Sequence, residues 1–351
     1  MSDKHSKHVK LSKASVGDFA RNELGIVGPN CDEIKKLAQQ WATALGHRFK
    51  SVYVDQDHAY LDLPCTEQLE NSTIAKAKHL TGKHWERLEQ NLHPSYSEKA
   101  LDYDLAFLNG NHFLATSSIL IYQTSRHNKL IKKDLSTVTC VVSSYKDKEQ
   151  ALGLTSANCQ WIDMDDEMGI PRFIELTFPK PKLNALILSG GKSTRMGTDK
   201  GALNYHGEPQ RVHLEQLLEK HVHGVYHSVR SEQGLNLDNK IEDRFVDLGP
   251  FGAILSGMMF DPDAAWLVLA CDLPNVDHHL LDQLVKGRKP SLIATAFHNP
   301  QTNWPDPLCT IYEPKAYLRM LSFLARGNSC PRKVLINSEI ELLDLKEESM
   351  L

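Results

Sequence analysis

The segment "LILSGGKSTRMGTDKGAL" (186–203) sets four glycines, two lysines and an arginine directly after an apolar run. Glycine lacks a Cβ, so the backbone can turn sharply there and bring its amide N–H groups onto phosphate oxygens. Cations beside such a turn neutralise the charge that spreads over those oxygens during phosphoryl or nucleotidyl transfer. Gly190, Gly191, Arg195 and Lys200 are therefore candidate polyphosphate contacts, with Leu188 and Ser189 leading the chain into them. A Gly-Gly pair alone is equally compatible with a tight strand-to-helix connection.

Such a loop needs a strand to present it. "LNALIL" before it reads as a buried strand, and "PQRVHLEQLLEKHV" after it as a helix, with Leu214, Leu217, Leu218 and Val222 on one face behind Pro209. "GVYHSV", "WLVLAC", "SLIATAF" and "PLCTIY" read as further strands, and "GAILSGMMF" and "HHLLDQLVKG" as helices. Strands alternating with helices predict a mainly parallel sheet covered on both faces. Ligands of such sheets bind beyond the carboxyl ends of the strands, where this loop begins. Pro179 and Pro181, with Lys180 and Lys182, resist both helix and central strand and place a domain seam at 179–182. The chain then divides into a basic, flexible N-terminus (1–19), one α/β domain (20–178) and a second α/β domain (183–351).

The loop "LSGGKSTRMGTDKG" (188–201) resembles the signature of cofactor- and sugar-activating nucleotidyltransferases, most closely the molybdenum cofactor guanylyltransferase (MobA) family. Gly190, Gly191, Ser193, Arg195, Met196, Gly197, Asp199 and Lys200 all match that pattern. "DLGPFGAILSGM" (247–258) resembles the family's Gly-Pro turn, which seats the nucleotide through Gly249 and Gly252. "WLVLACDLP" (266–274) resembles its Cys-Asp-x-Pro strand end, which implies that Asp272 holds Mg²⁺. "PDPLCTIY" (305–312) resembles a segment on the acceptor side. The family ordinarily ends in an Asn-x-Asn-Thr-Pro segment that lines the metal and substrate site. This sequence ends in "EIELLDLKEESML" without one, so it either stops short of that segment or lines its site differently.

The resemblance implies a Rossmann-like, GT-A-like α/β/α domain and a reaction that joins the terminal phosphate of molybdopterin to the α-phosphorus of GTP, releasing pyrophosphate. The acceptor is already an anion, so no Ser, His or Cys base is required, and catalysis reduces to positioning and charge neutralisation. Arg195 and Lys200 are expected on the phosphates and Asp272 on the metal. Asp247 is the candidate for base or ribose, with Asp243 its rival, and Ser228 is a further base contact. Guanine is favoured because cytidylyltransferase relatives carry Ala-Gly and Pro-Lys where this chain has Gly190-Gly191 and Asp199-Lys200. A cytidylyl or sugar-phosphate nucleotidyltransferase is the nearest alternative, and a non-catalytic nucleotide- or cofactor-binding scaffold is an alternative of another class. Molybdoenzymes and other cofactor-building proteins are the implied protein partners.

In the N-terminal domain, "CDEIKKLAQQWATALG" reads as an amphipathic helix, and "LGIVGPNCDEIKKLA" (24–38) stands where a phosphate-binding P-loop would, between a strand and that helix. Counting from Gly28, the positions that need Gly, Lys and Ser or Thr hold Glu33, Ile34 and Lys35. Glu33 would then point an acid into the anion site, so nucleotide hydrolysis is not expected there. "SVYVDQDH" (51–58) and "YDLAFLNGNHF" (103–113) resemble strands of the GTP-binding partner protein (MobB) of the same route, which implies a degenerate P-loop-like domain kept for docking or for shaping the acceptor pocket.

The 40 basic and 44 acidic residues give a net charge of −4, with no global field for nucleic acid or anionic lipid. The longest apolar run, "AAWLVLAC" (264–271), is far short of a membrane span, and no apolar segment follows the basic N-terminus as in a secretory signal. Seven cysteines without a CxxC pair fit reduced thiols and a cytoplasmic location. His221, His223 and His227 straddle a helix end and a strand start, so their side chains are expected to diverge rather than share zinc, and Cys271 to pack as a small hydrophobe.

Overall fold

Runs such as "AWLVLA", and "LNALIL" with its single Asn184, have no polar face to show to water, so each must be buried on both sides. A computed structural model of the chain shows how this is done. It describes residues 20–56, 103–156, 158–189, 207–230, 237, 239–300 and 302–345, together with the backbone of two strands at 75–79 and 85–88.

The N-terminal sheet has eight strands: β1 (Asn22–Val27), β2 (Ser51–Gln56), β3 (Ala75–His79), β4 (Trp85–Leu88), β5 (Leu105–Asn109), β6 (Ser118–Ile121), β7 (Val138–Ser143) and β8 (Gln160–Asp163). Their order is β4-β3-β2-β5-β1-β6-β7-β8. The pairs from β2 through β5, β1, β6 and β7 to β8 are parallel, while β3 and β4 add an antiparallel edge. Helix α1 (Cys31–Ala44) follows β1 and buries Ile34, Ala38, Trp41 and Ala42 against Leu24, Ile26 and Phe107. Helix α2 (Gly169–Thr177) adds Ile170, Phe173 and Ile174 to the same core.

The C-terminal sheet comprises β9 (Leu183–Leu188), β10 (Val225–Val229), β11 (Lys240–Glu242), β12 (Ala265–Ala270), β13 (Ala294–Asn299), β14 (Trp304–Tyr312) and β15 (Ile340–Asp344), in the order β11-β10-β9-β12-β14-β13-β15. Alternate residues of β9 and β12 feed two cores. Ala185, Ile187, Leu267 and Leu269 meet α3 (Gln210–Leu218) and α5 (His278–Lys286). Leu186, Trp266 and Val268 meet α4 (Pro250–Phe260), α6 (Ala316–Leu324) and α7 (Pro331–Ile336). Both halves are thus α/β, with mainly parallel sheets and helices on both faces.

The parallel rule fails at β14, which runs antiparallel to both β12 and β13. Only residues 300–303 join β13 to β14, and so short a link permits a hairpin but no crossover. Five strands go unannounced by the apolar pattern: β3 and β4, and the edge strands β8, β11 and β15, whose partly exposed residues form no unbroken hydrophobic run.

Candidate functional site

Parallel register aligns the carboxyl ends of β10, β9 and β12. Leu188 pairs with Ser228 on one side and with Ala270 on the other. The next residue of β9, Ser189, is buried, and its Oγ lies 3.3 Å from His227 Nδ1. His227 Nε2 in turn lies 3.4 Å from Glu215 Oε2 on α3. Burial pushes the His227 imidazole toward its neutral form, and the Glu215 carboxylate only partly offsets this. The chain therefore leaves β9 at a residue fixed to its neighbouring strand.

On the far side of β9, Asp272 is exposed two residues beyond the end of β12. The α3 residue Gln210, itself fully buried, donates from Nε2 to Leu273 O at 3.4 Å. The described chain accordingly stops at Ser189 and resumes at Gly207, three residues before Gln210. Gly190, Gly191, Arg195 and Lys200, with the rest of 190–206, lie outside the described residues.

The third part of the site is the arc from β11 into α4. Ser228 Oγ donates to Asp243 Oδ1 at 2.7 Å. Burial raises the Asp243 carboxyl above the usual range, opposed by the Ser228 hydrogen bond and by Arg230. Asp247 is exposed at positive φ (62°) and Gly249 follows at φ 57° as the N-cap of α4, with Pro250 at the first helical turn and no side chain capping the end. Gly252 is obligatory, because a Cβ there would lie 2.2 Å from Phe245 O. Ser256 ties the arc down by accepting from Arg244 N and donating to Gly252 O, both at 2.8 Å.

Of the residues singled out from sequence, Leu188, Ser189 and Ser228 thus meet at the carboxyl end of two neighbouring strands, with Asp272 beyond the adjoining strand. Between the two acidic candidates, it is Asp243 that bonds Ser228. The Ser189–His227–Glu215 chain was missed, although the alternation of "VYHSV" already turns His227 inward. His221 goes elsewhere, lying 3.2 Å from His278 and 3.3 Å from Asp282. Tyr312 is fully buried with its hydroxyl on Pro307 O at 2.9 Å, so in the "PDPLCTIY" strand the tyrosine serves the core. Cys271 packs in the hydrophobic core, and the six described cysteines are free thiols.

Comparison with known proteins bears directly on this half. A family model described as the MobA-like NTP transferase domain matches residues 185–341, from within β9 to within β15. A molybdenum cofactor guanylyltransferase of Pseudomonas fluorescens is 30% identical over 176 residues, 47% of this chain and 84% of that protein. The chain belongs to the MobA-like NTP transferase family. A molybdenum cofactor biosynthesis bifunctional protein of Synechocystis sp. is 34% identical over 165 residues, 46% of this chain. The chain spans about half the length of that relative, 48%. A solved structure, molybdopterin-guanine dinucleotide biosynthesis protein A of Archaeoglobus fulgidus, is 20% identical over 46% of this chain and 83% of its own, at a TM-score of 0.38. The matched segment of the transferase half contains every part of the site just described.

The N-terminal sheet shows why its first turn is a poor phosphate cradle. Asn30 Oδ1 accepts from Glu33 N at 2.9 Å, and Glu33 Oε2 accepts from Asn30 N at 3.3 Å, a reciprocal capping box. Glu33 therefore does not project into an anion site but folds back and occupies the amides that a phosphate would need. The adjoining cleft, about 670 Å³, is lined by Glu33, Asp166 and Glu167, with Lys36 as its cation. Gly28 (φ 119°) remains indispensable to the turn, since a Cβ would lie 2.1 Å from Ile121 O.

Proposed function

We propose that this chain transfers GMP from GTP to the terminal phosphate of molybdopterin, forming a guanine dinucleotide cofactor and pyrophosphate. An acceptor phosphate oxygen attacks the α-phosphorus, the bond to the bridging β-phosphate oxygen breaks, and pyrophosphate departs with that electron pair. The observation that carries the reading is the convergence of Leu188, Ser228 and Ala270 in register, with the signature loop leaving between the Ser228–Asp243 pair and Asp272. Molybdenum cofactor guanylyltransferases among the relatives support guanine as the base.

Arg195 and Lys200 neutralise the triphosphate, and Gly190 and Gly191 offer it backbone donors. Ser228 and Asp243 hold the nucleoside side, with Asp247, Gly249 and Gly252 shaping the turn below it. The end of α4 that no side chain caps offers a natural place for an anion. Asp272 fits Mg²⁺, since a hard dication that keeps most of its waters needs few carboxylates, and this one is exposed next to Leu273, whose carbonyl Gln210 of α3 holds. Bound there, Mg²⁺ would draw charge from the phosphate oxygens. The fold reading is a GT-A-like domain preceded by a degenerate P-loop-like domain of MobB type. The capped turn at Gly28 supports reading that first domain as degenerate, kept for docking or for shaping the acceptor pocket. Free thiols in all six described cysteines accord with a cytoplasmic protein.

The test mixes the purified chain with molybdopterin, Mg²⁺ and each nucleoside triphosphate in turn, and identifies the product by mass. A GMP adduct is expected, lost in Lys200→Ala. A CMP adduct would redirect the assignment to a cytidylyltransferase, and nucleotide binding without any adduct would favour a scaffold.

A further inference from the structure

Among the described residues, one group of three side chains brings metal-ligating atoms together, and it lies in the N-terminal half, away from the transferase site. Cys31 Sγ, an Asp55 carboxylate oxygen and His112 Nε2 all lie within 4.8 Å of one another. His112 Nε2 is 3.3 Å from Cys31 Sγ and 3.8 Å from Asp55 Oδ1. From these distances we infer that Cys31, Asp55 and His112 form a binding site for a zinc-type divalent ion, with one position left for water.

A Cys-His-Asp set could also be a nucleophilic triad, and the geometry decides between the two. In a triad the imidazole must use one nitrogen on the thiol and the other on the carboxylate. Here the same nitrogen, Nε2, faces both, so the ring cannot relay a proton from one to the other. Three ligand atoms converging on one point are what a cation requires. Tetrahedral ligands at ordinary Zn–S, Zn–N and Zn–O lengths stand roughly 3.3–3.6 Å apart, and the two edges here, 3.3 and 3.8 Å, come within about half an ångström of that spacing. A thiolate with an imidazole selects zinc-type ions over Mg²⁺, and three protein ligands with an open fourth position are the usual plan of a reactive zinc site.

The fold holds the three residues in place before any ion arrives. Cys31 opens α1, Asp55 sits near the end of β2, and His112 follows β5, the strand hydrogen-bonded between β1 and β2. Both Asp55 oxygens are oriented, Oδ2 by the Tyr53 hydroxyl and Oδ1 by Asn109 Nδ2, each at 2.8 Å. Tyr53 and Asn109 are fully buried. Asn111 Nδ2 donates to Pro29 O at 2.8 Å and so cross-links the turn carrying His112 to the turn carrying Cys31. Supports of this kind fix ligand orientation and hence affinity.

The experiment uses the whole 351-residue chain, stripped with a chelator and titrated with Zn²⁺ against a chromogenic competitor. One equivalent is expected to bind. Cys31→Ser and His112→Gln should each weaken it by about 100-fold or more, and Tyr53→Phe by about tenfold. Cys159→Ser, which alters a free thiol elsewhere in this half, should leave binding unchanged. Co²⁺ in place of Zn²⁺ should give a thiolate charge-transfer band that Cys31→Ser abolishes. Circular dichroism checks each variant, and Cys31→Ser, at a half-exposed helix start, tests the site without disturbing the core. No saturable uptake by the parent chain, or uptake that Cys31→Ser and His112→Gln leave intact, overturns the assignment. Neither readout depends on nucleotidyl transfer.

Discussion

Ser228 and Asp243 meet across β10 and the end of β11, and this hydrogen-bonded pair forms the nucleoside side of the proposed nucleotide site. Asp243→Asn keeps an oxygen that accepts from Ser228 and removes a charge that burial already disfavours, so the fold should tolerate it. KM for GTP should rise about tenfold with Tm unchanged or slightly higher, as steady-state kinetics and thermal melts would show. Asp272 is exposed and outside the core, so Asp272→Asn should lower kcat by at least about 100-fold at constant Tm. His227 supplies a pH test. Its pKa in the folded chain lies below that of the unfolded chain, so the unfolded state takes up the proton first. Stability should hold above about pH 6.5 and fall as pH drops from there toward the folded-state pKa. Melting curves of His227→Gln should lack that component.

At the level of elements, the apolar periodicity of "CDEIKKLAQQWATALG" suffices to specify α1, but not what its first turn does. Glu33 looks from sequence like an acid aimed into a phosphate site, yet it closes the helix end through Asn30. Asn30→Ala should cost about 1 kcal/mol in chemical denaturation. Glycine placement is decided equally locally. Gly252→Ala would set a Cβ 2.2 Å from Phe245 O and should destabilise by about 1–3 kcal/mol while weakening nucleotide binding. The signature loop was legible because its residue types are unusual. The Ser189–His227–Glu215 chain was not, because its members come from a strand end, a second strand and a helix, and no sequence spacing joins them.

Across the whole molecule, polar contacts bind the two halves. Lys315 Nζ, buried, donates to both Asp104 oxygens at 2.8 and 2.7 Å and to Ser291 O at 2.8 Å, while Lys50 N donates to Asp104 Oδ2. The Lys50–Glu339 pair at 2.7 Å is more exposed. Lys315→Met strands the Asp104 charge and should cost about 3–5 kcal/mol, splitting one calorimetric transition into two. Glu339→Gln should cost about 1 kcal/mol or less.

The sequence by itself determined the alternation of strands and helices, the doubly buried strands and the position of the signature loop, because periodicity and glycine chemistry act over a few residues. Tertiary structure alone decided that Asp243 meets Ser228, that Cys31, Asp55 and His112 converge, and that Lys315 reaches Asp104. Each of these contacts depends on strand order or helix packing, and a distance through space between residues far apart in the chain is set only when the sheets have closed.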